Sequence, residues 1–395
     1  MASDSSSKDK AANNLAASKD NSADLADAWC DAHGEPDPAR APRLLEHEGA
    51  QAVLRRAHAA GRLHHAWMLA GPRGIGKACL AWAWARFLLH YGDDAATAAE
   101  LSADGVGVPP DSRAVARLQA GAHTDFLHVH PDWDARTRIY REQLPASALR
   151  RIAPLFALSA AEQRGWRVCL IDSADAMTPT AANALLKILE EPPPRALFLI
   201  VCHQPGRVLP TIRSRCQLVP MRKLRTASVA QILKLHLPAM AEAERLACAQ
   251  LGEGSAHQAL GFARTRGMQV YAQTLQILQR LPHLPWEEVH KLADELAQTG
   301  ASHAAPRFAR FADLLLGIVH RAASVLAGGQ ADALPQERPL VEQWRSSLAI
   351  ERLADVWAQM AALAERNTGL RLDGRQSVLA YFTMLAQSFH KQQSS

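Results

Sequence analysis

The segment GPRGIGKA, Gly71 to Ala78, has the residue types and spacing of a phosphate-binding loop. Gly71, Gly74 and Gly76 let backbone N–H groups turn inward around phosphate oxygens, and Lys77 adds a point charge for the outer phosphates. The pattern is complete except at its last position. A hydroxyl there ligates Mg²⁺ in working nucleotide sites, and Ala78 has none. A second segment, VCLIDSAD (Val168 to Asp175), is an apolar run that ends in Asp172, a carboxylate suited to holding a metal's water shell, with Asp175 close behind. The position after Asp172, which carries a water-activating glutamate in hydrolytic sites, is Ser173, and a hydroxyl is a poor general base at neutral pH. Asp172 and Asp175 also suit the capping of a helix after a strand, and the two roles are compatible.

These residues need a particular scaffold. HAWMLAG before the loop reads as a short buried strand, and ACLAWAWARFLLHYG after it as a helix, so the loop lies between strand and helix as phosphate binding requires. FLHVH (Phe126 to His130), RVCLID (Arg167 to Asp172) and ALFLIVC (Ala196 to Cys202) read as further strands. LLEHEGAQAVLRRAHAAGRL, SALRRIAPLFAL and ANALLKILEE read as helices between them. Continuous apolar strands alternating with helices predict an α/β fold with a parallel sheet covered on both faces. Residues 93–125 are weakly patterned and read as a surface excursion. After Pro220 the strand pattern stops. The domain expectation is a disordered tail over 1–38, a nucleotide-binding-like α/β domain over 39–222, a small helical lid over 223–267 with Ser255 capping AHQALGFARTR, and an all-helical domain over 268–391.

Bulk properties set wide limits. Lys and Arg number 44 against 39 Asp and Glu, a formal net charge of +5, which permits a nucleic-acid partner without requiring one. The six cysteines form no C-x-x-C pair, which argues against a disulfide framework and against a thiolate zinc site. No apolar run is long enough to span a membrane, and the first forty residues lack a signal-peptide core, so the cytoplasm is the expected compartment. HTDFLHVHPDWD offers His123, Asp125, His128, His130, Asp132 and Asp134, but without the context of a metal site a partly exposed strand and turn is the expectation. Trp82 and Trp84, with Phe87 and Leu88, are expected in the core rather than as a base-stacking platform.

IDSADAMTPTAANALLKILEEPPP followed by TIRSRCQ (Thr211 to Gln217), and HEGAQAVLRRAHAAGRLHHAWMLAGPRGIGKA nearer the start, resemble bacterial clamp-loader subunits of the AAA+ class. With GAHTDF (Gly121 to Phe126), they resemble the stator-type subunit more than the motor subunits gamma and tau. The likeness is strong over about residues 40 to 265 and is one of pattern only in the helical remainder. It implies a P-loop AAA+ domain, a helical lid and a C-terminal helical collar. It also implies that Arg215, flanked by Ser214 and Cys216, is an arginine finger reaching into a neighbour's ATP site; Arg213 is the weaker candidate, and both also suit strand capping. Two further positions that read phosphate in active relatives fall at Cys202 or His203 and at His257, where the residue types are poor substitutes.

The resemblance therefore implies a non-catalytic subunit of the DNA polymerase III assembly. Its partners would be gamma or tau motors and a delta subunit, and, through the complex, a sliding clamp and primed DNA, with Lys187 and other basic residues near the DNA phosphates. No membrane partner is expected. No cofactor is required; passive ATP or ADP docking at Gly71, Gly74, Gly76, Lys77, Asp172 and Asp175 stays open, and no zinc is expected. A working AAA+ ATPase and a nucleic-acid-binding module with a vestigial nucleotide site are the alternatives. Ser173 and Ala78 speak against the first, and the modest charge against the second.

Overall fold

The computed structural model describes residues 37–41, 44–94, 107–109, 111–134, 139–141, 143–157, 165–297, 300–329, 334–370 and 373–390. Most of the expected N-terminal tail, residues 1–36, lies outside the described residues. The chain divides into two compact units. The first holds residues 1–133, 140–245 and 253–257, and the second 134–139, 246–252 and 258–395.

Through the first unit the chain order is α1 (Glu48–Ala59), β1 (Ala66–Ala70), α2 (Lys77–Tyr91), α3 (Arg113–Gln119), β2 (Phe126–Val129), the short strands β3 (Trp133–Asp134) and β4 (Ile139–Tyr140), whose residues are divided between the two units, α4 (Ala146–Leu149) and α5 (Ile152–Ala157). Then come β5 (Arg167–Asp172), α6 (Pro179–Glu190), β6 (Ala196–Cys202), α7 (Pro210–Arg213), β7 (Gln217–Pro220) and α8 (Thr226–His236). Among the described residues the main sheet has the strand order β2-β5-β6-β1-β7, and its pairs are parallel. The inner strands β1 and β6 are buried at every position, which is why they read as unbroken apolar runs rather than alternating ones. Met68, Ile171, Phe198 and Ile200 pack into one core with Leu185 and Leu189 of α6. Each such side chain contributes about 1.5–3 kcal/mol when fully buried. Trp84 and Trp82 also lie in the core, Trp84 against Phe87 at 5.1 Å between ring centroids and Trp82 against Phe126 at 4.7 Å.

Local chemistry explains where the elements depart from the sequence reading. The helix expected over SALRRIAPLFAL is broken into α4 and α5. Pro154 has no N–H and its ring crowds the carbonyl four residues back, that of Arg150, so the turn at Arg150 and Arg151 cannot stay helical. The helix expected to begin at Leu44 begins at Glu48, because Glu46 and His47 adopt positive φ, 62° each. Within the weakly patterned stretch, α3 forms because Ser112 Oγ accepts from Val115 N at 3.4 Å and Val115 and Leu118 are buried.

Next in the chain are α9 (Glu242–Leu251) and α10 (Ala256–Arg264). The helices of 223–267 are thus shared between the two units, α8 falling in the first and most of α10 in the second. The second unit continues with α11 (Gly267–Leu278), α12 (Trp286–Ala297), α13 (Gly300–Leu326), α14 (Arg338–Ser347), α15 (Ile350–Leu370) and α16 (Gly374–His390). The long helices α13, α15 and α16 pack around Leu315, Ile318, Leu353, Met360, Phe382 and Leu385. Inside this helical unit Arg321 Nη2 lies 2.6 Å from Glu337 Oε1 and Tyr271 Oη donates to the same oxygen at 3.1 Å. Among the described residues no helix is long and apolar enough to cross a membrane.

Candidate functional site: a closed phosphate loop and an exposed arginine

The loop Gly71–Gly76 leaves the C-terminal end of β1 and runs into α2, whose N-cap Gly76 sits at φ 96°. Register brings the other chemical residues alongside. Ala70 pairs with Cys202 and Asp172 with Val201, so the ends of β1, β6 and β5 lie in a row. Gly71 N donates to Cys202 O at 3.2 Å, which ties the loop to the strand before His203. This is the crevice beyond the carboxyl ends of parallel strands, where α/β folds place ligand chemistry.

The loop is turned to its own chain. Lys77 is buried, 3% exposed, and its Nζ donates to Gly71 O at 2.7 Å and also to Pro72 O. Burial is the main reason its ammonium is depressed to about 8, with Asp172 and Asp175 opposing the shift. Burial raises Asp172 above the usual carboxylate range, and Lys77 opposes that. Asp175 Oδ1 accepts from His203 N at 2.7 Å, so this carboxylate holds the end of β6. His203 is lowered to about 4, first by burial and then by the charges of Lys77 and Arg73. Its Nδ1 is buried without a hydrogen-bond partner among the described residues.

The start of α10 closes over the loop. Gly74 O accepts from Ala256 N at 2.9 Å and from His257 N at 3.4 Å. A Cβ on Gly74 would collide with Ser255 Oγ and come within 2.7 Å of His257 Cβ. The first amides of a helix are a ready-made anion site, but here a main-chain carbonyl takes them. His47 Nε2 bonds Ile75 O at 2.7 Å, which fixes the far side of the loop. The neighbouring Glu46 accepts from Arg225 N at 3.0 Å and from Arg225 Nε at 3.1 Å. Burial alone would raise Glu46, yet hydrogen bonds from Ser228 and Arg225 prevail and hold it below its ordinary value. Sequence reasoning missed both contacts; the polar pair Glu46–His47 ahead of a helix was the available signal.

These residues do not fit a magnesium nucleotide. Ala78 offers no hydroxyl, Ser173 is buried and no base, Lys77 is spent on loop carbonyls, and Gly74 lies under Ser255 and His257. His128 lies in β2 and His130 just beyond its end, close enough to Asp172 to act on it electrostatically. The rings of His128 and His130 stand 4.5 Å apart, and burial lowers His128 to about 3. Among the described residues no group of three or more His, Cys, Asp or Glu side chains is arranged to hold a metal ion.

Arg215 is elsewhere, in the turn between α7 and the edge strand β7. Its side chain is 36% exposed. Nη1 donates to Thr211 O at 3.0 Å, and Nη2 pairs with Glu190 Oε1 at 3.0 Å. Ser214 Oγ also donates to Thr211 O at 3.0 Å, and burial pushes the Cys216 thiol up to about 12, which disfavours its thiolate. Arg213 Nη1 donates to Pro205 O at 3.0 Å. Lys187 is exposed on α6.

A P-loop parallel sheet with this strand order, a depleted nucleotide cradle and an arginine in SRC after LEEPP define a clamp-loader subunit of the AAA+ class. The comparisons agree. A family model described as DNA polymerase III, delta subunit, matches residues 46–225. DNA polymerase III subunit delta' of Pseudomonas aeruginosa is 33% identical over 258 residues, covering 65% of this chain and 71% of that one. Subunit delta' of Escherichia coli is 32% identical over 162 residues, 41% of this chain and 43% of that one. The gamma/tau subunit of Mycobacterium tuberculosis is 32% identical over 199 residues, 50% of this chain and 31% of that one. The chain belongs to the delta-prime family of bacterial DNA polymerase III subunits.

Proposed function

We propose that this chain is the stator of its clamp loader: it turns over no ATP itself and lends Arg215 to the ATP site of an adjacent gamma or tau motor subunit. The observation that carries the reading is a contrast. The cation of its own cradle, Lys77, is buried and held by loop carbonyls, whereas Arg215 stands at the surface beside an edge strand. A planar guanidinium neutralises charge on a transferring phosphoryl group, an effect worth ~10³–10⁵ in rate where such fingers are known. Its own site requires no cofactor and no zinc. The further partners in this reading are a delta subunit, the sliding clamp and, through the complex, primed DNA, which the exposed Lys187 meets at its phosphates.

The test has two arms. The purified chain alone is given ATP, and the loader is reconstituted with gamma or tau and delta subunits. The isolated chain is expected to show no steady hydrolysis. In the loader, Arg215→Ala leaves assembly intact and lowers DNA-stimulated turnover sharply, whereas Lys77→Ala changes it little. Sustained hydrolysis by the isolated chain, or an unchanged rate with Arg215→Ala, rejects the reading.

A further inference from the structure

Glu190 closes α6, and its carboxylate is one of the two acceptors that hold Arg215; the other is the carbonyl of Thr211 in α7. The two acceptors come from different elements and take different terminal nitrogens of one guanidinium. That group is a rigid planar fork of five N–H donors, so two anchors set both its place and its rotation and leave the other donors for a further partner.

Folding does not account for the pair. α6 buries Ala181, Ala182, Leu185 and Leu189, and Glu190 lies outside that stripe with its side chain 51% exposed. Ion pairs this open to water contribute little to stability. An acidic residue in the last turn of a helix is also opposed by the negative end of the helix dipole. A carboxylate placed against its helix and unneeded by the core is therefore best explained by what it does to Arg215.

We infer that Glu190 is a positioning residue for the trans arginine finger: it holds the Arg215 guanidinium in the orientation from which the remaining donors meet the terminal phosphate at the neighbouring subunit's site. This rests on the reading of Arg215 given above. With the Thr211 carbonyl as its one remaining anchor, the long Arg215 side chain is freer to turn, and a catalytic group out of place loses rate even where binding is untouched.

The experiment uses the reassembled loader with full-length chains, after gel filtration confirms that each variant assembles. Steady-state kcat and KM for ATP are measured for Glu190→Ala, Glu190→Gln, Arg215→Ala and the Glu190→Ala/Arg215→Ala double variant. Glu190→Ala should lower kcat roughly tenfold with KM for ATP unchanged. Glu190→Gln keeps an acceptor oxygen without the charge and should stay within about twofold of the unsubstituted rate. The double variant should match Arg215→Ala. If Arg215→Ala collapses turnover while Glu190→Ala runs at the unsubstituted rate or faster, Glu190 is idle or a brake and the inference fails alone. If Arg215→Ala itself leaves turnover intact, the finger reading fails and this inference with it.

Discussion

Lys77 Nζ donates to the carbonyl of Gly71 at 2.7 Å, so the cation that defines a phosphate loop is satisfied by the loop's own backbone. The carbonyl of Gly74, in turn, caps the first amides of α10. The lysine donor that serves a phosphate in a working site is here taken up by backbone carbonyls of its own loop. The same loop geometry thus becomes a structural joint.

The buried Lys77 makes a test by pH. Its ammonium is depressed to about 8 in the folded chain, against about 10.4 when unfolded. Between those values the unfolded chain holds the proton and the folded chain has released it, so stability contributed by this group rises with pH from 8 to about 10.4. The slope is at most about 1.4 kcal/mol per pH unit. Urea unfolding of the native chain and of Lys77→Met at pH 8 and pH 10 should show a difference between them that grows with pH in favour of the native chain. A constant difference would place the lysine in water rather than under the loop.

Two glycines with similar backbone angles separate strain from crowding. Gly74 has φ 78° and Gly121 φ 65°, but a Cβ at Gly121 meets nothing within 4 Å, whereas one at Gly74 strikes Ser255 and His257. Gly121→Ala should cost about 1 kcal/mol from the left-handed conformation alone. Gly74→Ala should cost about 2 kcal/mol more, because the start of α10 must move off the loop. Denaturant midpoints of the two variants measure the gap, and equal losses would show that the start of α10 yields freely.

The elements and the cradle were legible because their signals are local. Unbroken apolar runs marked the strands at 167–172 and 196–202, and the glycine–lysine spacing marked the turn from β1 into α2. The Ala78 and Ser173 departures were visible for the same reason, as single residues in fixed positions of a motif. Long-range pairings were not legible. Nothing in LEEPP says that its first glutamate reaches Arg215, twenty-five positions on, and nothing in GSAH says that its amides cap Gly74. Such contacts depend on how α6, α7 and the start of α10 lie against the sheet, which periodicity does not encode. The break at Pro154 was readable, and the apolar pattern across it concealed it.

Acid should loosen the nucleotide-binding-like unit through two of its buried histidines. Burial lowers His128 to about 3 and His203 to about 4, both below the ordinary histidine value of about 6.5. Between pH 6.5 and those values the unfolded chain binds protons that the folded chain refuses, so stability falls as pH falls through that window. His128 stacks edge-on against Trp82 at 5.3 Å between centroids, and a phenyl ring fits the same contact. His128→Phe should therefore flatten the loss of stability between pH 6.5 and pH 4.5, followed by urea midpoints. A variant as acid-labile as the native chain would assign the loss to other groups.

The helical unit holds a buried charge whose removal should be costly in one form and cheap in another. Glu337 is 1% exposed, and its oxygens accept from Arg321 Nε at 2.9 Å, Leu334 N at 3.2 Å and Tyr271 Oη at 3.1 Å, besides Arg321 Nη2. Glu337→Gln removes the negative charge beside the guanidinium of Arg321, whose side chain is 8% exposed, and should destabilise by about 3–5 kcal/mol. Tyr271→Phe deletes one neutral donor to a charged acceptor and should cost about 1.5–3 kcal/mol. Replacing both charges, Arg321→Met with Glu337→Leu, removes the desolvation cost along with the attraction and should recover most of the loss seen with Glu337→Gln. Denaturant unfolding of the set decides the matter: if the double replacement is as damaging as the single one, the pair fixes the packing of α13 against the turn before α14 through its geometry rather than its charge.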